Sequence, residues 1–226
     1  MKTIFTITLL AVQAVALAEG DPASRTADYD YDPPAPGSYA LPIIKPAADG
    51  ALVDSNNKPV GLRELTRNRV TVMSFIYTRC AAAKACPLAT RVLLQIHRAS
   101  AEDPALAREL RLVSLSFDPE HDTPERMAAY SALAAQRPTA APWHFATTRS
   151  PVELHPILAA YGQAVDKKKD PRDPTGPLNH TLRVFLIDRA GNIRNIYSSD
   201  TLDPRLVLAD VRTLLLESAP PETRAR

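Results

Sequence analysis

The chain has 226 residues, of which 27 are lysine or arginine and 25 are aspartate or glutamate, so the formal net charge is only +2. This balance gives no electrostatic case for nucleic-acid binding, and no basic run alternates with aromatic residues. The length is that of one domain with a substantial core. The two cysteines are too few for a disulfide scaffold.

Residues 1–18 are interpreted as a cleavable secretory signal. A short basic start is followed by an apolar run, and a small-residue pattern at residues 16–18 precedes Glu19. The apolar run is shorter than the roughly 20 residues that a spanning helix needs, so an uncleaved anchor is the alternative. We therefore expect an exported, periplasmic protein, which contacts the membrane only through a partner or through such an anchor. Disulfides can persist in that compartment.

Residues 19–44 are rich in proline, aspartate, tyrosine and serine and show no helical or strand period, which predicts a flexible arm. The folded domain is expected over residues 45–217, and residues 218–226 are expected to form a disordered tail. Near the start of the domain, residues 59–65 predict a hairpin edge that leads into a short helix.

Strand and helix patterns alternate from residue 70 onward. The first strand, residues 70–77, is a nearly continuous apolar run, which is typical of a strand buried on both faces. A helix follows it at Pro87, a residue suited to a first helical position. The later pairs are strand 112–117 with a helix capped at Thr123, and strand 143–148 with a helix capped at Ser150.

The C-terminal part predicts a hairpin of residues 182–188 and 193–198, and then a helix that opens at Asp203 and Pro204. This order implies an α/β fold of thioredoxin-like architecture, with a mixed sheet flanked by helices and a C-terminal β-hairpin and helix. In such sheets, functional groups collect beyond the carboxyl ends of the parallel strands.

Both cysteines, Cys80 and Cys86, stand between the first predicted strand and its helix. Cys86 is a candidate N-cap of the helix that Pro87 starts, so the helix dipole is expected to favour its thiolate, and Arg79 and Lys84 add positive charge. Two thiols in this place can close a structural disulfide, exchange electrons or hold a soft metal. The location speaks against a structural role, because closing so short a loop adds little stability.

His180 is a candidate third member of this site, because it lies where a polar loop leads directly into a predicted strand. Two thiolates and one imidazole form a soft ligand set that suits Cu(I) or Cu(II), whereas zinc usually takes a fourth ligand. A lone histidine is more often a surface or hydrogen-bonded residue, so His180 needs further support. The remaining histidines are not expected to be ligands: His97 and His155 on a helix surface or boundary, His144 in a strand and His121 in an acidic turn.

Three parts of the chain together resemble the SCO/SenC family, in order and from about residue 41 to residue 216. They are residues 75–80 (FIYTRC) with Cys86 and Pro87, residues 116–125 (SFDPEHDTPE), and residues 180–183 (HTLR) with residues 187–191 (IDRAG). The resemblance implies a thioredoxin-like protein that binds copper through Cys80, Cys86 and His180. It also places Asp118 at the family's acidic position near the loop that carries the two cysteines. Asp118 is expected either to fix that loop or simply to form a turn after the strand.

Members of this family help to assemble the binuclear copper site of cytochrome c oxidase, either by delivering copper or by reducing the target's cysteines. The resemblance therefore implies a copper-accepting membrane oxidase subunit, or another exported redox protein, as the partner. The chain departs from the commonest family motif, in which three residues separate the cysteines, because five residues, 81–85, stand here. Copper affinity and redox potential are therefore not carried over.

Two other functions stay open on the sequence alone. The first is a metal-independent thiol-disulfide oxidoreductase or peroxidase, in which Cys80 or Cys86 attacks and the other resolves. The chain has no Cys-x-x-Cys motif, and residues 78–80 lack the upstream proline of a peroxiredoxin loop. The second is a non-catalytic binding module with a permanent disulfide, whose proline-rich arm engages a partner. Whether the protein is an enzyme is thus left open.

Overall fold

The computed structural model describes residues 31–134 and 137–217. The predicted signal (1–18), the first part of the predicted arm (19–30) and the predicted tail (218–226) lie outside the described residues. Among the helices of the described part, none combines the length and hydrophobicity that a membrane crossing requires.

The centre of the fold is a mixed sheet of eight strands. Its three central strands pair in parallel, and the helix that follows each of the first two returns the chain to the same end of the sheet. All seven residues of the first of them are buried, because it has a neighbouring strand on each edge and helices packed against it. The three strands are β4 (Val70–Ile76), β5 (Leu110–Ser116) and β6 (Trp143–Thr147).

The outer strands are all antiparallel to their neighbours and extend the sheet on both sides. Beyond β4 lie β9 (Val184–Ile187), β10 (Asn192–Tyr197) and β1 (Lys45–Pro46), in that order. Beyond β6 lie β2 (Ala51–Asp54) and β3 (Pro59–Gly61). A separate two-stranded sheet is formed by β7 (Val165–Lys167) and β8 (Leu178–His180).

Six helices flank the sheet within the described residues, and four of them begin after a residue whose side-chain oxygen accepts a backbone N–H. The capping residues are Asp103, Thr123, Ser150 and Asp203, each followed by a proline at the first helical position. The helices are α1 (Leu62–Thr66), α2 (Cys86–Ala101), α3 (Pro104–Glu109), α4 (Pro124–Ser131), α5 (Pro151–Tyr161) and α6 (Pro204–Glu217), with a 3-10 turn at Ala132–Ala134.

The predicted α/β architecture is confirmed, since a mixed sheet with flanking helices ends in the β9–β10 hairpin and α6. The structure adds elements that were not predicted, namely α3 and the short strands β1, β2, β7 and β8. Each of these has six residues or fewer, which is too short to show a helical or strand period of its own.

Residues 31–44 of the predicted arm lie against the domain. The side chain of Leu41 is buried, and the Gly37 N–H donates to Thr213 Oγ1 over 3.0 Å. The Tyr39 hydroxyl donates a short hydrogen bond to the buried Asp210 carboxylate of α6. These contacts give this part of the arm a fixed place beside α6.

Candidate metal centre

The two cysteines lie beyond the carboxyl end of β4, where the sequence predicts functional groups to collect. Cys80 follows the strand in a turn, in which its N–H donates to the Tyr77 carbonyl over 3.2 Å. Cys86 is the first residue of α2, and Ala85 is the N-cap, so the prediction of Cys86 as N-cap is wrong by one residue. The helix starts earlier because Pro87 is tolerated anywhere in the first turn. Both cysteines are free thiols.

His180 is brought to the cysteines by the β7–β8 hairpin, in which it is the last residue of β8 and pairs with Val165. Its Nε2 atom lies 3.4 Å from the Cys86 sulfur and 3.7 Å from the Cys80 sulfur. The three potential ligand atoms all lie within 4.8 Å of one another. Within residues 31–134 and 137–217, no other group of three His, Cys, Asp or Glu side chains is clustered in this way.

The imidazole of His180 is held by aromatic packing. Its ring centroid lies 5.3 Å from that of Tyr77 in an edge-on arrangement and 5.0 Å from that of Phe117. Its buried Nδ1 atom has no hydrogen-bond partner among the described residues. The ring is therefore oriented by its neighbours' shape, with Nε2 directed at the two sulfurs.

The two thiols differ in exposure and in acidity. Cys86 is buried, whereas Cys80 is partly exposed. The hydrogen bond from Cys86 lowers the pKa of the Cys80 thiol to about 4 against the opposing effect of burial, and His180 adds to the lowering. The same bond, together with burial, raises the pKa of the Cys86 thiol. The lowered pKa favours the thiolate form at Cys80, whereas the place of Cys86 at the helix start predicts that form at Cys86.

The turn that carries Cys80 is fixed by Asp122, a fully buried residue that was not predicted to take part. Its carboxylate accepts the Thr78 N–H over 3.0 Å and the Thr78 hydroxyl over 2.5 Å. It also accepts the Ser116 hydroxyl over 2.6 Å, which ties the end of β5 to the exit of β4. A buried carboxylate with three donors is a rigid anchor, because each bond to a charged acceptor is strong.

Asp118, predicted near the metal loop, lies beside the turn and not among the three clustered ligand atoms. Its carboxylate forms an ion pair of 2.7 Å with Arg79, the residue before Cys80. Its carbonyl accepts the N–H groups of His121 and Asp122, so it also forms the turn after β5. The two roles weighed for Asp118 on the sequence are therefore compatible with each other.

The other histidines lie away from this cluster. His155 is exposed on α5, His144 lies in β6 and His121 lies in the turn before α4, all as predicted. His97 was expected at a helix surface or boundary, and that expectation is wrong because only 1% of its surface is exposed. Its Nδ1 lies 3.1 Å from the Ala141 carbonyl, and its Nε2 accepts the Arg137 N–H over 3.2 Å.

The donor atoms of this cluster fit a soft metal ion. Two sulfurs and one imidazole nitrogen are the ligands that copper and other soft ions select, whereas magnesium and calcium require oxygen ligands. Within the cluster the lowered pKa of Cys80 favours its thiolate, which is the form that binds metal. The arrangement can equally support thiol–disulfide exchange, since a partly exposed thiolate lies beside a second, buried thiol.

Comparison with known proteins assigns the chain to a family. The family model SCO1/SenC matches residues 47–216. No curated protein matches the chain significantly. Copper-bound ScoI of Bradyrhizobium japonicum shares 24% identity at a TM-score of 0.58, over 73% of this chain and 97% of that one. Copper-bound ScoI of Arabidopsis thaliana shares 19% identity at a TM-score of 0.63, over 76% of this chain and 98% of that one.

A third similar structure is that of BsSco, a member of the Sco family of cytochrome c oxidase assembly proteins. A disulfide switch was identified in BsSco. It shares 20% identity at a TM-score of 0.60, over 76% of this chain and 95% of that one. The structural likenesses show a common thioredoxin-like fold, and the family model covers well over half of the sequence. This chain is a member of the SCO1/SenC family.

Proposed function

We propose that the protein is an exported copper-binding protein of the Sco type, which takes part in assembling a copper site of a respiratory oxidase. The observation that carries the proposal is the convergence of Cys80, Cys86 and His180, whose ligand atoms lie within 4.8 Å of one another. Family membership, the copper-bound relatives and the signal-like residues 1–18 support it.

Each ligand has a distinct task in this proposal. Cys80 is partly exposed and is therefore the sulfur that an incoming or outgoing metal ion meets first. Cys86 is buried at the start of α2, where its thiol must release its proton when a metal binds. His180 would supply the third ligand, a ring nitrogen. Copper held by these three residues would be able to change its oxidation state, whereas zinc has no redox chemistry.

A copper titration of the reduced protein tests the proposal. The wild-type protein is expected to bind one Cu(I) or Cu(II), with a sulfur-to-copper charge-transfer band in the Cu(II) form. His180→Ala should lose this band and bind Cu(II) at least tenfold more weakly. His155→Ala, in which an exposed histidine outside the cluster of ligand atoms is removed, should behave as wild type. A wild-type protein without any copper-dependent spectral change contradicts the proposal.

A second candidate function, thiol-disulfide oxidoreductase, is favoured by the unequal acidity of the two thiols. The lowered pKa of Cys80 makes it the attacking thiolate, and Cys86 is then the thiol that resolves the mixed disulfide. Reduction of a disulfide substrate such as insulin, with dithiothreitol as the thiol donor that reduces the protein again after each round, distinguishes the two functions. Turnover that survives His180→Ala and is lost in Cys80→Ser supports the oxidoreductase.

A further inference from the structure

The hairpin that carries His180 lies outside the eight-stranded sheet, so sheet register does not fix the distance from His180 to the cysteines. The distance is set instead by the way in which the β7–β8 hairpin packs against the cysteine loop, residues 77–86. The residues that hold these two parts together therefore decide whether His180 reaches the site.

The loop at the tip of the hairpin, residues 168–177, is stabilised by hydrogen bonds among its own residues. Asp173 accepts the Thr175 N–H over 2.8 Å and the Thr175 hydroxyl over 2.6 Å, and its carbonyl accepts the Gly176 N–H over 2.9 Å. Lys168 closes the tip from the other side, with its Nζ atom 3.1 Å from the Asp173 carboxylate. Thr175 and Gly176 are thus presented as one compact turn.

The turn contacts the cysteine loop through backbone atoms and one side chain. The Ala81 N–H donates to the Thr175 carbonyl over 3.2 Å. The Tyr77 hydroxyl lies 3.3 Å from the Thr175 carbonyl and 3.4 Å from that of Leu178, two residues before His180. Because the ring of Tyr77 also packs edge-on against the imidazole, this one residue touches both the hairpin backbone and the ligand.

Gly176 lies at the closest point of this contact. Its φ angle of +102° is one that residues with a side chain rarely adopt. A Cβ atom at this position would lie 2.2 Å from the Tyr77 hydroxyl oxygen and 2.7 Å from the Arg79 carbonyl oxygen. The second atom belongs to the backbone next to Cys80, so it cannot turn aside as a flexible side chain would.

We propose that Tyr77 and Gly176 are positioning residues, which hold the β7–β8 hairpin so close to the cysteine loop that His180 can act as the third ligand. The inference rests on the proposed metal centre. A side chain at position 176 should push the hairpin away from the loop and remove the nitrogen ligand, while the two cysteines keep their places at β4 and α2.

The experiment compares wild type, Gly176→Ala, His180→Ala and the control Gly191→Ala. Gly191 also has a positive φ, +85°, but it lies in the β9–β10 turn, where an added Cβ would meet only the side chain of Arg67. Gly176→Ala is expected to lower Cu(II) affinity at least tenfold, as His180→Ala does, with Cu(I) affinity changed less than threefold. Gly191→Ala should match wild type. Wild-type Cu(II) affinity and spectrum in Gly176→Ala overturn the proposal.

A metal-free measurement separates this proposal from the proposed function. In the reduced wild-type protein, nuclear Overhauser contacts should connect the rings of Tyr77 and His180, and they should be absent in Gly176→Ala. If wild type binds no copper, the proposed function fails, while the loss or retention of these contacts still decides the positioning role. Where Gly176→Ala does not fold, Tyr77→Phe serves, because it keeps the ring and removes the hydroxyl. It should weaken the same contacts, and unchanged contacts in Tyr77→Phe overturn the proposal.

Discussion

The Nε2 atom of His180 lies 3.4 Å from the sulfur of Cys86, although 94 positions separate these residues in the chain. The strand β4 and the helix α2 place the sulfur, and the β7–β8 hairpin places the nitrogen. Two segments that are far apart in the sequence therefore form one site. The contribution of each segment to this site can be tested with its own variants.

The acidity of Cys80 predicts an unusual pH profile for alkylation of the reduced, metal-free protein. Because its pKa is lowered to about 4, Cys80 is a thiolate throughout the range above about pH 5. Its rate with iodoacetamide should be level from pH 5 to 7, where a cysteine with a pKa of about 8.5 gains reactivity steeply. Mass spectrometry of the labelled peptide measures this rate.

Cys86→Ala provides the control for that profile. The variant removes the thiol whose hydrogen bond is the largest cause of the lowered pKa. The midpoint of the Cys80 profile should therefore move to higher pH. A profile that is the same in both proteins would show that Cys86 does not stabilise the thiolate.

Asp122 is predicted to contribute more to stability than its neighbour Asp118. Asp122→Ala leaves the Thr78 and Ser116 donors without their buried acceptor, and we expect a loss on the order of 3 kcal/mol in the free energy of unfolding. Asp118→Ala breaks only an ion pair with the partly exposed Arg79, which is worth up to about 1 kcal/mol. Urea denaturation measures both, and equal losses would contradict the anchor role of Asp122.

His97 predicts a loss of stability in mild acid. Burial lowers its pKa, and the nearby Arg137 adds to the lowering, so folding favours the neutral form of this imidazole. The contribution is fully present above the unfolded pKa of about 6.5 and is lost as pH falls through it towards the folded value. We therefore expect the free energy of unfolding to be lower at pH 5.5 than at pH 7.5.

The matching variant for His97 is His97→Gln, which keeps a polar side chain and removes the titration. Its free energy of unfolding, measured by urea denaturation, should change less between the two pH values than that of wild type. The prediction fails when both proteins lose the same amount.

The arm predicts a contrast between two apolar residues that are two positions apart. Leu41 is buried, and Leu41→Ala should lower the free energy of unfolding by about 2 kcal/mol. Ile43 is 60% exposed, and Ile43→Ala should change it by less than about 0.5 kcal/mol. Denaturation curves of the two variants provide the measurement, and similar values would mean that the arm does not pack on the domain in solution.

The strand β4 was predictable because burial on both faces leaves a nearly continuous apolar run. The predicted and observed ends of β4 and β6 agree within one residue, and those of β5 within two. The position of the cysteines at the carboxyl end of β4 follows from the same order of elements. These features depend on the sequence pattern over neighbouring residues.

Other features depend on contacts between distant residues, which leave no such pattern. The strands β7 and β8 have three residues each, and their sequence alone does not predict that His180 faces the cysteines. The family resemblance named His180, but not the aromatic rings of Tyr77 and Phe117 that hold it. Asp122 belongs to the segment 116–125 that resembles the family, yet its hydrogen bond with Thr78, 44 positions away, forms only on folding. His97 is buried because residues 137–141 cover it, and they form neither helix nor strand.

The β7–β8 hairpin lies outside the main sheet. The residues that form the core and the residues that place the third ligand are therefore largely different ones. Substitutions in β4 or α2 alter the core and the ligands together, so few of them are tolerated. The strands β7 and β8 and their connecting loop are not part of the eight-stranded sheet. We therefore expect exchange of the hairpin to change the third ligand while β4 and α2 still place the two cysteines, which makes the hairpin the part to vary in a redesign of the site.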